Sequence, residues 1–199
     1  MAEISLDNRS YEEYLSLEED PQKKFEYHDG YIRAMAGGSP EHGQVAGNFI
    51  RFAGNALMQT KNKCRLLTSD VKVHIESRRR TFYPDASIVC GSIEKSERDP
   101  LAITNPILIL EVLSPATEAF DRGAKFAHYR ELPSLREYVL IQPEIIWVDV
   151  FHRNVHGFWE ITSYNQLDQK VILKSLGCEL AMEDIYYLMT PGKASDPSI

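Results

Sequence analysis

Apolar and polar positions along this chain recur with two periods, near 3.6 and near 2, and the switches between them mark out its elements. Ser10 and Glu13 have the spacing of a capping box, in which each side chain satisfies a free backbone N–H at a helix start, so a short helix is predicted through about Leu17. In KFEYHDGYIRAM the pattern alternates on either side of Asp29-Gly30, a pair that supplies the positive φ angles of a tight turn, and two strands are predicted. Ser39-Pro40 offers an N-cap and a first-turn proline. Val45, Phe49, Phe52, Ala53, Ala56 and Leu57 then recur at helical spacing, which predicts a long amphipathic helix to about Lys61. Period 2 resumes where Val71, Val73 and Ile75 alternate with Asp70, Lys72, His74 and Glu76, the pattern of a strand with one buried face.

The arginine run 78–80 turns the chain, and TFYPDASIVC returns as a strand whose Pro84 lacks a ladder N–H, so its start is expected at an edge or to be irregular. A charged loop runs from Ser92 to Pro100. PILILEVL is almost continuously apolar, as a central strand covered on both faces must be. TEAFDRGAKFAHYREL reads as a helix despite Gly123, and REYVLIQ as the next strand; a strand, a crossover helix and a strand make a parallel pair. IIWVDVFH and GFWEITSY predict two more strands around a turn near Asn154 and Gly157, and AMEDIYYLM a last short helix. With no repeat or low-complexity linker, residues 1–189 are expected to form a single α/β domain, a mixed sheet flanked by helices, with 190–199 a mobile tail.

Composition supports one ordinary core: 199 residues, 43% hydrophobic and 26% charged. No basic start precedes an apolar run, and no stretch approaches the ~18 apolar residues of a membrane span, so a cytoplasmic protein with no membrane association is expected. Cys64, Cys90 and Cys178 are odd in number and form no C-x-x-C pair, which predicts reduced, mostly buried thiols. The chain carries 22 Lys and Arg against 29 Asp and Glu, a net charge of −7 that disfavours a broadly basic nucleic-acid surface. Residues 61–80 are the exception, with seven basic side chains to two acidic, and Arg78, Arg79 and Arg80 are candidates for following a phosphate backbone. A solvated hairpin tip is the alternative. No phosphate loop, nucleophile elbow or H-E-x-x-H zinc helix is present.

Glu111 stands out because it interrupts ILILEVL. A buried carboxylate is costly unless paired, protonated or bound to a cation, and the end of a central strand beside a crossover is where α/β proteins tend to bind ligands. A simple buried ion pair is the alternative. Asp85 follows Pro84 in a strand expected to neighbour that of Glu111, with Tyr83, Asp85 and Ser87 sharing a face. Two facing carboxylates repel unless a hard cation such as Mg²⁺ or Mn²⁺ separates them. Lys125, on the crossover helix, either pairs with Asp121 on a solvated face or reaches back to the carboxylates; Tyr129, one turn on, could orient it.

Asp85, Glu111 and Lys125 in this order resemble the PD-(D/E)-x-K nuclease superfamily, with Pro84-Asp85 as the PD element. From about Tyr11 to Leu188 the chain resembles more closely the Uma2 family of endonucleases, through FEYHDGYIRAM, SPEHGQVAGN, SDVKV, YPDASIV, ILEVLSPATEAFDRGAKFAHYRELPSLREYVLIQP and LKSLGCELAMEDIY. The resemblance implies a restriction endonuclease-like core and a metal-dependent endonuclease hydrolysing phosphodiester bonds in DNA, working as a homodimer. It implies Mg²⁺ (or Mn²⁺) held by Asp85, Glu111 and the carbonyl of Val112, an upstream acid at Glu26, and an orienting role for His42. Asp70, in SDVKV, reads as an outer acid or simply a strand-start residue. Two departures matter. Leu113 stands where the superfamily lysine would follow Glu111, which moves that function to Lys125, and Gln142 stands where relatives often carry aspartate. A noncatalytic nucleic-acid-binding or regulatory module on the same scaffold is the alternative.

Overall fold

The computed structural model describes residues 5–18, 23–35 and 37–192. The chain opens with β1 (Ser5–Leu6) and α1 (Tyr11–Leu17), whose capping box forms in both directions: Glu13 N–H donates to Ser10 Oγ (3.1 Å) and Ser10 N–H to Glu13 Oε2 (2.7 Å). β2 (Phe25–His28) and β3 (Tyr31–Ala34) form the expected hairpin. Asp29 and Gly30 take φ angles of 50° and 88°, matching the twist of the strands they join. α2 (Pro40–Gln59) starts with Ser39 accepting the His42 N–H and buries Val45, Phe49, Ala53 and Leu57 along one face; it ends two residues before Lys61.

Next come β4 (Cys64–Thr68), β5 (Lys72–Ile75), β6 (Arg80–Phe82), β7 (Ala86–Cys90), β8 (Ala102–Ile103) and β9 (Leu108–Val112). A continuous helical segment follows: α3 (Glu118–Phe120), a π turn over Asp121–Lys125, and α4 (Phe126–Tyr129). β10 (Glu137–Gln142) returns parallel to β9, as the crossover requires. β11 (Trp147–Arg153), β12 (Trp159–Tyr164), a hairpin of β13 (Lys170–Leu173) and β14 (Cys178–Ala181), and α5 (Met182–Ile185) complete the chain.

Twelve of the described strands form two six-stranded sheets, ordered β1-β3-β2-β6-β5-β8 and β12-β11-β10-β9-β7-β4, where the hydropathy pattern suggested one, and β13 and β14 pair separately. TFYPDASIVC is therefore two strands: the chain leaves the first sheet at Phe82 and enters the second at Ala86. Pro84, unable to donate to a ladder, stands in the crossing segment. β9 lies inside the second sheet and feeds both cores. Leu108, Leu110 and Val112 pack toward α2, while Ile109 and Leu113 pack toward the crossover helix and the first sheet.

β5 departs from its one-faced pattern because both of its faces are covered. Lys72 and His74 are 2% and 0% exposed. The Lys72 ammonium lies 2.9 Å from Glu18 and 2.8 Å from Asp99, and His74 hydrogen-bonds Tyr11 and Thr81, so polar partners supplied from other elements make their burial tolerable. The β13–β14 hairpin is an unanticipated element. The expected tail is anchored at its start, where Gly192 exchanges backbone hydrogen bonds with Glu144 and Ile146, and its remainder lies outside the described residues. Among the described residues no helix is long and apolar enough to cross a membrane.

The thiol expectation is corrected for two of the three cysteines. Cys64 and Cys90 face each other across the β4–β7 ladder and are joined by a disulfide, leaving Cys178 free. Spacing along the chain did not signal the pair, since register alone brings the two together. The bond spans 26 residues of sequence, a segment that includes β5, β6 and Asp85. Constraining the unfolded form of a loop of that length contributes about 3 kcal/mol. Thermal unfolding followed by circular dichroism is therefore expected to show a midpoint roughly 6–12 °C lower in Cys64→Ser, or in excess dithiothreitol, than in the oxidised protein.

Candidate active site

Three structural layers converge on one cavity of about 860 Å³ beside the C-terminal end of β9. Glu111, 4% exposed, projects from β9 toward the crossover helix, on the same side as Ile109 and Leu113. Its Oε1 lies 2.8 Å from the Lys125 ammonium and accepts the Tyr129 hydroxyl proton at 3.0 Å. The π turn brings Asp121 and Lys125 inward together, and Asp121 Oδ1 stands 3.6 Å from Lys125 Nζ. Glu26 arrives from β2 in the other sheet, with Oε1 3.4 Å from Lys125 and accepting the Tyr83 N–H at 3.1 Å.

Asp85 sits just before β7, in the crossing segment. The β7–β9 ladder reaches Ala86 opposite Leu110, and beyond it the Asp85 carboxylate accepts the Val112 N–H at 2.7 Å in place of a backbone partner. His42, in the first turn of α2, places Nε2 3.4 Å from Asp85 Oδ2. Glu26, His42, Asp85, Glu111, Val112, Asp121 and Lys125 all line the cavity.

Several sequence expectations change here. Asp85 is outside the strand, so its shared face with Tyr83 and Ser87 does not exist. Tyr129 orients Glu111 rather than Lys125. Lys125 combines both readings, because its pair with Asp121 is real but buried. Glu26, the expected upstream acid, is buried. Asp70 binds Lys24 at 2.6 Å, and Gln142 donates to Glu118 at 2.8 Å. Asp121 was missed; its only sequence signal was a position four before Lys125. Of the arginine run, none lines the cavity: Arg80 is buried and held by Asp29 and Glu131, while Arg78 and Arg79 are exposed.

The electrostatics follow from burial. Desolvation raises the Glu111 carboxyl well above the usual range, opposed by the Lys125 ammonium, and it raises Asp121 in the same way. Burial alone would lower Lys125, but Glu111, Glu26 and Asp121 together outweigh it and hold the ammonium protonated. Its hydrogen bond to Asp85 raises His42, with burial acting the other way. Four carboxylates thus face one lysine and one histidine, an anionic excess suited to a cation. The donor set is hard oxygen: the Asp85 and Glu111 carboxylates with the Val112 carbonyl nearby, which fits Mg²⁺ or Mn²⁺. Among the described residues no three His, Cys, Asp or Glu side chains form a ready-made cage. Two carboxylates plus waters, the usual Mg²⁺ shell, need none.

A mixed α/β fold with mixed sheets flanked by helices is of the restriction endonuclease-like class. The chain belongs to the Uma2 family, whose model, described as "Putative restriction endonuclease", matches residues 11–183. Two proteins of Synechocystis sp., both named as uncharacterized, are 38% identical over 177 residues (89% of this chain and 90% of the relative) and 32% identical over 150 residues (75% and 84%). A crystal structure from Anabaena variabilis, titled a putative nuclease belonging to DUF820, superimposes with a TM-score of 0.71 at 18% identity, covering 88% of this chain and 96% of that one. At that identity the likeness is one of fold.

Replacing Lys125 by methionine leaves three carboxylates around an uncharged group. Urea unfolding at neutral pH is expected to show about 3–5 kcal/mol less stability. The deficit shrinks as pH falls, because the raised Glu111 and Asp121 carboxyls then take up protons and relieve the uncompensated charge.

Proposed function

We propose that this protein is a metal-dependent endonuclease that hydrolyses phosphodiester bonds in DNA. The observation that carries the reading is the convergence of Asp85, Glu111, Glu26 and Lys125, from both sheets and the crossover helix, on one cavity. Asp85, Glu111 and the Val112 carbonyl would hold Mg²⁺ or Mn²⁺. When bound, such an ion supplies Lewis acidity toward a nonbridging phosphate oxygen and a bound water of lowered pKa.

The chain's own groups divide the remaining work. Tyr129 and Lys125 both occupy Oε1 of Glu111, which fixes the orientation of the carboxylate that would help to hold the cation. The Val112 N–H and His42 hold Asp85. The Lys125 ammonium, kept protonated by three acids, stabilises negative charge growing on the phosphate and orients the attacking water rather than accepting its proton. Glu26, through Tyr83 N–H and Lys125, positions the crossing segment that carries Asp85. Arg78 and Arg79, exposed beside the buried Arg80, are the members of the arginine run able to meet a phosphate backbone. The working unit in this reading is a cytoplasmic homodimer, one copy for each strand of a duplex, which light scattering reports as twice the chain mass.

The test is cleavage of plasmid and single-stranded DNA in Mg²⁺ or Mn²⁺. Asp85→Asn and Glu111→Gln are each expected to lower the rate at least ~100-fold with the fold retained, and Lys125→Ala by a similar factor. Cutting that survives in both carboxylate variants would sink the proposal. Salt-sensitive binding with no cleavage under any divalent ion would instead favour a noncatalytic binding module.

Holding a cation also requires the raised Glu111 carboxyl to be ionised, so metal binding releases protons. Mn²⁺ affinity, measured by calorimetry, is therefore expected to rise with pH until Glu111 has lost its proton and then level off. A flat profile through the acidic range contradicts the assignment of Glu111.

A further inference from the structure

At the other end of the second sheet, where β9 and β10 begin and β11 ends, lies a separate groove of about 570 Å³. Ile107, Pro133 and Val155 give it an apolar side, and Arg136, Arg153 and Ser175 a polar one. Ile107 and Glu111 are four residues apart along an extended strand, roughly 13 Å, so a ligand in this groove would not meet the acidic site.

Arg136 and Arg153 extend the β10–β11 register by one pair beyond Glu137 and His152, with Arg153 N–H donating to the Arg136 carbonyl at 2.8 Å. Directly opposite residues of an antiparallel ladder project to the same face, so Arg136 and Arg153 share one face at this end of the sheet, and both line the groove. Like charges there destabilise the ladder unless something negative lies between them. In a chain of net charge −7, neither arginine has a carboxylate partner among the described residues. The nearby Glu137 is fully buried and already accepts the N–H groups of Lys174 (2.7 Å) and Ser175 (3.1 Å) and the Ser175 hydroxyl. Arg136 is also pre-set: its Nη1 donates to the carbonyls of Pro133 (2.9 Å) and Leu135 (3.2 Å), which fixes the guanidinium plane.

We propose that this groove binds a phosphate group carried on an apolar body of about nucleotide size. The two guanidinium forks match the several oxygens of one phosphate, which relieves their mutual repulsion. The Ile107, Pro133 and Val155 side takes a base or sugar face, and the volume is within the range of small-molecule sites. The phosphate comes either from a free nucleotide or from the 5′ end of a strand. The inference stands on geometry independent of the nuclease reading.

Calorimetry on the full chain in phosphate-free buffer tests it, with AMP, inorganic phosphate, adenosine, and a dinucleotide with and without a 5′-phosphate. At least one phosphorylated probe is expected to bind one-to-one, with affinity falling at least tenfold in Arg136→Gln and in Arg153→Gln, while adenosine gives no saturable heat. Arg153→Lys keeps the charge but not the fork, and is expected to fall between wild type and Arg153→Gln. Asp85→Asn should bind like wild type, and circular dichroism checks that each variant is folded. Binding of AMP identifies a free nucleotide as a source, and binding of the phosphorylated dinucleotide alone identifies a strand end; either upholds the proposal. Absence of binding by every phosphorylated probe, wild-type affinity in both Arg136→Gln and Arg153→Gln, or loss of binding in Asp85→Asn overturns it.

Discussion

Lys125 is the interaction on which the rest of the site depends. Its ammonium stands within 3.6 Å of carboxylates from β2, β9 and the π turn. Burial works against every one of these charges taken singly. Together they are tolerable, because one cation faces three acids, and the Tyr129 hydroxyl and the Tyr83 N–H add second donors to the same Glu111 and Glu26 oxygens. The arrangement is still short of positive charge, and Asp85 adds a fourth carboxylate whose partners are a backbone N–H and His42. That shortfall is a physical reason to expect a cation, and it places part of the chain's −7 in a defined location.

The second constraint is the crossing between sheets. The chain passes from β6 to β7 through Tyr83, Pro84 and Asp85, and each end of this short segment is tied. Glu26 accepts the Tyr83 N–H from the first sheet, while Asp85 accepts the Val112 N–H from the second. The two acids therefore do structural and electrostatic work at once. Each satisfies a backbone donor left without a ladder partner where the sheets diverge. The disulfide between Cys64 and Cys90 closes the same stretch of chain from outside, and Lys72, buried between Glu18 and Asp99, pins the β5 strand within it.

The second sheet is polar along its length in the electrostatic sense. Its acidic groups gather at the C-terminal end of β9, and the Arg136 and Arg153 pair stands at the opposite end, beside the start of β10. Net charge said little about either place. A protein can be acidic overall and still present two arginines at one register position, because the ladder, not the composition, decides which side chains become neighbours.

Much of the fold was legible in the sequence because its signals are local. The capping box at Ser10 and Glu13, the Asp29-Gly30 turn, the one-faced helix from Pro40, and the apolar run around Glu111 each depend on residues within a turn or a strand of one another. Glu111 could be singled out for the same reason, since a carboxylate among aliphatic neighbours is anomalous wherever the strand lies. Tertiary structure decided what depends on distant partners. It split the strand at Pro84 between two sheets, buried both faces of β5, joined Cys64 to Cys90, turned Tyr129 toward Glu111, and made Asp121 part of the cluster rather than a solvated partner of Lys125. Whether a polar side chain is exposed or held in a network is set by what packs across from it, and residues far away in sequence supply that surface.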